Sequence, residues 1–224
     1  DLMYREAVAK QKTFYYVDHA YIDSGHDRIN KRNTSVGKHE TTWYRIIKND
    51  HQIKHWGMPM PQIEASDRLE KYFDIELQPK REHGDTVLIL PPTNAIKTFF
   101  KCEDWTDQML EKYKNENCVV REKPYNPPMQ ITKEGYMDKI DTPTDKSGGP
   151  MNDILAKTKK LVTYNSNSLV NAIIDGIDVE ASDNSCWSIY DGQRRTWLKY
   201  LAHCQYNSHE NDSGKWFDCC NSWQ

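Results

Sequence analysis

The sequence predicts an α/β fold built on a doubly wound parallel sheet. The apolar run at 86–90 is followed by two prolines, which is typical of a buried strand. Shorter apolar runs recur at 118–121, 161–164 and 177–179, and helix-like segments separate them. Strands that alternate with helices in this way pair in parallel, with the helices on the faces of the sheet. We therefore expect these four runs to form one sheet.

The first half of the chain has weaker patterns. Residues 1–11 predict a short helix, and the aromatic and β-branched residues at 13–17 and 42–47 predict two extended strands. Several prolines predict that residues 56–84 are irregular. Because the chain begins at Asp1 inside a helix-like segment, we expect the natural protein to start further upstream.

Further helices are predicted in the second half. The turn at 165–168 begins a helix, and Gly176 ends it, since glycine is the usual residue just beyond a helix C-terminus. A loop rich in proline and glycine occupies 124–150. The predicted helices span 103–115, 151–159, about 168–175, 191–204 and 208–219.

The composition excludes several classes of protein. The 224 residues carry 30 Lys and Arg against 33 Asp and Glu, a net charge of −3, which excludes a uniformly basic nucleic-acid coat. The sequence has no apolar run of about 18 residues, so we expect no membrane span. Its first ten residues lack the apolar core of a signal peptide. The six cysteines show no C-x-x-C spacing, which favours reduced thiols in a cytoplasmic protein over a disulfide scaffold or a zinc ribbon.

Charge is distributed unevenly along the chain. Residues 26–55 hold seven Lys and Arg against three acids, whereas residues 175–224 hold four against eight. This asymmetry predicts that a polyanion or a phosphate ligand contacts the basic stretch. A solvated loop without a ligand is the alternative. The candidate contact residues are Arg28, Arg32, Arg45 and Lys48.

Two candidate acid/base groups follow the first predicted strand. Asp18 and His19 are side chains of the kind that take a proton from an acceptor hydroxyl. The alternative is that Asp18 caps a turn and His19 packs. We expect no metal site, because His51-x-x-x-His55 lacks the Glu of H-E-x-x-H and no Asp-x-Asp pair occurs. The sequence also lacks G-x-G-x-x-G, Walker A and G-x-S-x-G motifs, which disfavours dinucleotide oxidoreductases, P-loop NTPases and α/β-hydrolases.

A candidate phosphate-binding segment follows the predicted strand at 161–164. Its hydroxyl, amide and backbone N–H groups precede a helix, where an anion is favoured, although a plain helix cap is the alternative. Basic side chains after the strand at 118–121 are suited to neutralise the same phosphates, or they are simply surface charges. The candidate residues are Asn165, Ser166, Asn167, Ser168, Arg121 and Lys123.

Six motifs along the chain carry a resemblance to a known group of proteins. They are YYVDHAY (15–21), WYRIIKN (43–49), VLILPP (87–92), VVREKP (119–124), TYNSNSLVNAIIDG (163–176) and WLKYLAHCQYNSHENDSGKW (197–216). In this order they resemble the pattern of glycosyltransferase-like proteins of tailed bacteriophages and some bacteria. The chain is more distantly similar to bacterial capsule polysaccharide transferases. Ala20 stands where the pattern has Gly.

The resemblance implies a GT-B-like fold with Rossmann-type doubly wound parallel sheets. Residues 1–84 would form an acceptor-side half that is reduced or truncated. Residues 85–190 would form the half that binds the nucleotide-sugar. Residues 191–224 would form helices that pack back on the core.

The resemblance also implies roles for the candidate residues. Asp18, with His19 beside it, would activate the acceptor hydroxyl. Four residues would bind the phosphates of the donor: Arg121, Lys123, Ser166 and Ser168. The nucleotide-sugar would act as a co-substrate, and neither a cofactor nor a metal is expected.

The implied function is a nucleotide-sugar-dependent glycosyltransferase, which transfers a hexose or a pentose to a hydroxyl group. The phage setting of the group points to a hydroxymethylated pyrimidine in double-stranded DNA as the acceptor, within the cytoplasm of the host. A target base in a duplex would have to be flipped out to react. A glycan or a protein is an alternative acceptor. A non-catalytic DNA-binding or regulatory module, and a structural virion or interaction protein, are the alternative functions.

Overall fold

The computed structural model divides the chain into two compact units. The described residues are 2–22, 43–54, 57–123, 129–131, 137–139 and 151–223. The parallel-sheet unit comprises Asp1–Lys10 and Gln78–Ser182, and the antiparallel-sheet unit comprises Gln11–Leu77 and Asp183–Gln224. The predicted divisions after residues 84 and 190 differ from these bounds, because each unit combines segments that are distant in the sequence.

Helices and strands follow one another along the described residues. The helices are α1 (Leu2–Ala9), α2 (Met60–Ala65), α3 (Arg68–Tyr72), α4 (Asn94–Phe100), α5 (Trp105–Lys112), α6 (Met151–Leu155), α7 (Ser168–Ile174), α8 (Arg194–His203), α9 (Ser208–Asp212) and α10 (Lys215–Trp223). The strands are β1 (Tyr15–His19), β2 (Trp43–Lys48), β3 (Thr86–Leu90), β4 (Asn117–Val120), β5 (Met129–Ile131), β6 (Met137–Lys139), β7 (Thr158–Thr163), β8 (Asp178–Ala181) and β9 (Gln205–Asn207). A 3₁₀ turn covers Cys186–Ile189.

Four of the described strands form a parallel sheet in the order β4-β3-β7-β8. β3 is buried along its whole length, as its continuous apolar sequence predicts for a central strand. Its side chains Val87 and Ile89 pack with Val162 of β7, and Trp105 and Met109 of α5 cover them. The predicted α/β class with a parallel sheet is therefore confirmed, and this unit has a Rossmann-like architecture.

Charged side chains extend β7 beyond its predicted start. Lys159 and Lys160 belong to the strand, although the prediction placed residue 159 in a helix that in fact ends at Leu155. The two ammonium groups pair with carboxylates of neighbouring segments, Lys159 with Glu116 at 2.6 Å and Lys160 with Asp178 at 2.9 Å. Because these ion pairs satisfy the two lysines, β7 can include polar residues that an apolar pattern does not predict as part of a strand. The loop predicted at 124–150 contains the antiparallel pair β5–β6.

Gly176 follows α7 in the chain and contacts the segment that precedes β3. Its φ of +74° is the left-handed conformation that glycine adopts without strain, as predicted for this helix end. A Cβ at this position would lie 1.9 Å from the carbonyl oxygen of Pro79. The Gly176 carbonyl also accepts a hydrogen bond from the Arg81 N–H at 2.8 Å. The close approach of two backbones therefore requires glycine here.

The antiparallel-sheet unit contains a three-stranded sheet of the order β1-β2-β9 among its described residues. This differs from the parallel, Rossmann-like half expected for residues 1–84. The third strand comes from the far end of the sequence, and its Gln205 side chain bonds both the N–H and the C=O of Ile22, each at 2.9 Å. A local pattern within residues 1–84 does not reveal such a long-range partner.

Helices complete this unit, and two of them lie where the sequence predicted irregular structure. α2 begins after Pro59 with Pro61 in its first turn, a position where proline is well tolerated. The predicted helix at 208–219 is instead two helices, because Gly214 adopts a φ of +71° between them. Trp197 of α8 is fully buried and donates from Nε1 to the Cys186 carbonyl at 3.0 Å.

None of the described helices combines the length and the apolar character that a membrane span requires. The six cysteines all carry free thiols.

Candidate functional site

The carboxyl edge of the parallel sheet brings the predicted phosphate-binding segments together. β3 lies between β4 and β7, so the order of the strands reverses at β3. In open parallel sheets, ligands bind outside the carboxyl ends of the strands at such a reversal. We define the switch edge as the segments that follow these three strands, residues 91–94, 121–123 and 164–168.

A network of hydroxyl groups holds the turn after β7. The fully buried Thr163 donates from Oγ1 to the Leu90 carbonyl at 3.2 Å and accepts from the Ser166 N–H at 3.2 Å. Ser166 Oγ in turn lies 3.2 Å from Ser168 Oγ and accepts from the Ser168 N–H at 3.3 Å. The end of β3 and the turn after β7 are thus joined through one side chain.

Aromatic packing and a neighbouring strand fix the same turn from two further sides. The Tyr164 ring packs on Phe100 of α4 and Trp105 of α5, with centroid distances of 6.0 and 5.8 Å. Ser182, after β8, donates from its hydroxyl to the Tyr164 carbonyl at 2.8 Å. Asn167 occupies the N-cap position of α7 without a side-chain capping hydrogen bond, and Asn165 is half-buried beside it. These contacts fix the backbone of the turn, whose hydroxyl and amide groups remain partly exposed.

The basic candidates lie on the other side of β3. Arg121 donates from its backbone N–H to the Ile89 carbonyl at 2.9 Å, and its side chain is half-buried. The Lys123 side chain is exposed. Because β4 and β7 flank β3, the two groups of candidates are separated by two strand spacings, about 10 Å.

Asp18 lies in β1 directly opposite Arg45 of β2. The Arg45 guanidinium donates from Nη2 to Asp18 Oδ2 at 2.6 Å, and the Tyr16 hydroxyl lies 3.5 Å from the same oxygen. Asp18 Oδ1 accepts from the N–H of His19 at 2.7 Å. Burial, followed by the negative charge of Asp18, raises the pKa of Tyr16 above its usual value of 10.0. The predicted base is therefore held in a cross-strand ion pair.

The acceptor-side basic candidates differ in their surroundings. Arg45 was expected to contact a polyanion, but it is only 4% exposed. Its guanidinium lies over the rings of Tyr16 and Tyr21, at 5.9 and 5.1 Å from their centroids. Burial between two aromatic rings and a carboxylate gives Arg45 a packing role rather than an exposed anion contact. Lys48 is half-buried at the end of β2. Arg28 and Arg32 lie outside the described residues.

The i, i+4 metal pair considered from the sequence requires a helix that contains both His51 and His55. Residues 51–54 are not helical, and His55 lies outside the described residues. His51 Nδ1 contacts Asp50 Oδ1 at 2.8 Å. Burial raises the pKa of Asp50, but hydrogen bonds from His51 lower it further, so that the net shift is downward. Within the described ranges, no group of three or more His, Cys, Asp or Glu side chains is placed to hold a metal ion.

Sequence reasoning missed a cavity inside the antiparallel-sheet unit. The Arg68 cavity has a volume of about 280 Å³, and its lining residues are Met58, Ser66, Asp67, Arg68, Lys71, Tyr72, His203, Tyr206, Glu210, Lys215 and Cys219. These residues come from two distant parts of the chain, so local patterns do not associate them. One local feature of the lining is predictable from the sequence. The Asn207-x-x-Glu210 spacing is that of a capping box, and at the start of α9 each of these side chains accepts a hydrogen bond from the backbone N–H of the other residue.

No protein-family model matches the chain, and no curated protein matches it.

Proposed function

We propose that the protein is a nucleotide-sugar-dependent glycosyltransferase whose switch edge binds the phosphates of the donor. The observation that supports this is the reversal of strand order at β3, with the hydroxyl-bearing turn 165–168 on one side and Arg121 and Lys123 on the other. Nucleotides are among the ligands that bind at such reversals in doubly wound sheets. The motif resemblance described above supplies the reaction class.

The proposed chemistry assigns separate tasks to the switch edge and to Asp18. At the switch edge, hydroxyl and N–H groups bind phosphate oxygens, and the cations stabilise the charge of the leaving nucleotide. The acceptor oxygen forms a bond to C1 of the sugar as the bond from C1 to the phosphate oxygen breaks. The acceptor proton passes to a carboxylate base. The candidate from the sequence is Asp18, whose Oδ1 accepts one hydrogen bond although a carboxylate oxygen has two lone pairs.

Calorimetric titration with UDP-, GDP-, dTDP- and CMP-sugars tests donor binding. We expect one class of donor to bind, and we expect Ser166→Ala and Lys123→Ala to weaken its binding at least roughly tenfold, since each removes a hydrogen bond to a charged group. Lys157→Ala is the matched control, because this lysine is equally exposed but precedes β7 at the opposite edge of the sheet. Absence of binding, or equal binding by all three variants, would contradict the proposal.

Mass spectrometry of the acceptor tests the reaction. Duplex DNA that contains a hydroxymethylated pyrimidine should gain the mass of one sugar when it is incubated with the bound donor and the protein. A glycan and a protein acceptor are assayed in parallel. A donor that binds at the switch edge but is neither transferred nor hydrolysed would favour the non-catalytic binding module instead.

A further inference from the structure

The Arg68 cavity carries a local excess of positive charge. Arg68 is neutralised by Glu210, with which it forms two hydrogen bonds at 2.7 and 2.8 Å. Lys71 and Lys215 line the same cavity, and neither forms an ion pair with a carboxylate among the described residues. Asp67 is the other acid in the lining, and it is exposed, as are Lys71 and Lys215. The balance of these groups favours an anion.

A hydrogen-bonded pair, Ser66 and His203, lies in the wall of this cavity. His203 Nε2 and Ser66 Oγ are 2.7 Å apart, and Ser66 Oγ also accepts from the Arg68 N–H at 3.2 Å. When the imidazole is neutral, the serine hydroxyl can donate its proton to Nε2. When the imidazole is protonated, Nε2–H donates to the serine, whose hydroxyl proton then turns to a different acceptor. The pair therefore presents a donor to the cavity once His203 carries a proton.

The volume of the Arg68 cavity and the residues that line it restrict the class of ligand that it can bind. Its volume of about 280 Å³ lies just below the usual range of small-molecule sites, about 300–1,000 Å³, so the ligand must be small. The rings of Tyr72 and Tyr206 and the side chain of Met58 supply apolar surface. A phosphate monoester carries a charge of about −1.5 to −2 near neutral pH and three acceptor oxygens. It thus matches two lysines, a serine–histidine pair and an apolar wall better than a singly charged carboxylate does.

We propose that the Arg68 cavity binds a small phosphate monoester through Lys71, Lys215 and the Ser66–His203 pair. The ester substituent packs against Tyr72 and Tyr206. This site lies wholly within the antiparallel-sheet unit and does not depend on donor binding at the switch edge.

Anion binding is linked to the protonation of His203. In the free protein, burial and then the charge of Arg68 lower the pKa of His203 to about 4, Lys199 lowers it as well, and Glu210 opposes them. The remaining charged and titratable groups of the lining are Asp67, Lys71, Tyr72, Tyr206, Lys215 and Cys219. A bound dianion favours the imidazolium, so binding raises the pKa of His203. Linkage then requires the histidine to contribute more to affinity as the pH falls from 8 towards 5.

Phenyl phosphate and inorganic phosphate are suitable probes, and the imidazole signals of His203 in the full chain report binding by NMR. We expect phenyl phosphate to bind more tightly than inorganic phosphate and to raise the pKa of His203. Lys71→Gln and Lys215→Gln should each weaken phenyl phosphate binding at least roughly tenfold. Lys12→Gln is the matched control, because this lysine is exposed in the same unit and lies outside the cavity.

The pH dependence isolates the role of the histidine. The ratio of wild-type to His203→Gln affinity should rise as the pH falls, since protonation of the phosphate affects both proteins equally. Unchanged His203 signals in the presence of phenyl phosphate, equal losses in all three lysine variants, or a ratio independent of pH would each overturn the proposal. Equal affinity for phenyl phosphate and inorganic phosphate would contradict the proposed packing of the ester substituent against Tyr72 and Tyr206. Ser166→Ala and Lys123→Ala should leave phenyl phosphate binding unchanged, which separates this site from donor binding at the switch edge.

Discussion

Arg68 and Glu210, which are 142 positions apart in the sequence, form a two-point ion pair. Nη1 lies 2.7 Å from Oε1 and Nη2 lies 2.8 Å from Oε2, and the two side chains are only 12% and 9% exposed. Arg68 also donates to the carbonyls of Ala202 and Gln205, both at 2.7 Å. One guanidinium therefore links α3 to the end of α8, to β9 and to α9.

Removal of one partner of this pair should destabilise the protein strongly. Arg68→Met leaves the Glu210 carboxylate buried beside apolar groups, and we expect a loss of about 3–5 kcal/mol in the free energy of unfolding. The double variant Arg68→Met/Glu210→Leu should lose less than the sum of the single variants. Urea unfolding measures both. The control is Arg195→Met, which breaks an exposed pair with Glu70 and should lose less than about 1 kcal/mol.

His203 should make stability depend on pH. Its pKa is about 4 in the folded protein and 6.5 in a free imidazole, so the unfolded chain binds more protons between these values. The stabilising contribution is therefore complete above about pH 6.5 and is lost as the pH falls towards 4. In thermal unfolding between pH 6.5 and 4, the His203→Gln variant should lose less stability than the wild type does. Burial raises the pKa of Glu210 but Arg68 lowers it further, so the additional loss below about pH 4.5 should persist in the variant. An unchanged slope between pH 6.5 and 4 would contradict the prediction.

Gly176→Ala should destabilise the parallel-sheet unit through a backbone clash. A left-handed φ alone disfavours alanine by about 1 kcal/mol, and the new Cβ would also lie 1.9 Å from the Pro79 oxygen. We therefore expect a loss of more than about 2 kcal/mol in chemical unfolding. Gly192→Ala is the control, since Gly192 has a φ of +93° with no atom within 4 Å of the new Cβ. Equal losses in the two variants would show that the clash is relieved.

Local patterns were sufficient to predict the parallel sheet. The strand Thr86–Leu90 is continuous and apolar because both of its faces are covered, and the pattern at 103–115 predicts the crossover helix α5. The shorter helix α4 (Asn94–Phe100), which directly follows this strand, was not predicted. The start of β7 was missed because Lys159 and Lys160 find carboxylate partners on neighbouring segments. β9 was missed because three residues at Gln205–Asn207 carry too little signal to predict a partner as distant as β2.

The candidate site was also predictable only in part, because some of its contacts join segments that are distant in the sequence. Parallel topology places residues 121–123 and 165–168 on one edge whatever their side chains are, so the sequence predicts their common edge. Asp18 and Arg45 were assigned separate roles, whereas the antiparallel register places them opposite each other. The Arg68 cavity depends on contacts between residues 66–72 and 203–219, and a single sequence does not encode that proximity in any local pattern.

Asp18→Asn should separate catalysis from structure. If Asp18 takes the acceptor proton, sugar transfer should fall by roughly 100-fold or more while the affinity for the donor is unchanged. We expect only about 1–2 kcal/mol of lost stability, because the Asp18 side chain is 35% exposed and the pair with Arg45 is partly screened by water. Tyr16→Phe is the control, since it removes a long contact to the same carboxylate oxygen and should leave transfer within a few-fold of wild type. Equal effects of the two substitutions on transfer would assign Asp18 a structural role only.

The Thr163 hydroxyl should matter for both stability and donor affinity. It joins the end of β3 to the turn after β7, so Thr163→Val leaves the Leu90 carbonyl and the Ser166 N–H without this partner. Unsatisfied buried groups of this kind typically destabilise a protein by about 1–3 kcal/mol. The matched control lies at the other end of the same strand: Thr158 is also fully buried and donates to the Ile154 carbonyl at 2.8 Å. Both valine variants should lose stability in urea unfolding. Only Thr163→Val should weaken binding of the nucleotide-sugar, because only that hydroxyl holds the turn at the switch edge; equal donor affinity in the two variants would place the donor elsewhere.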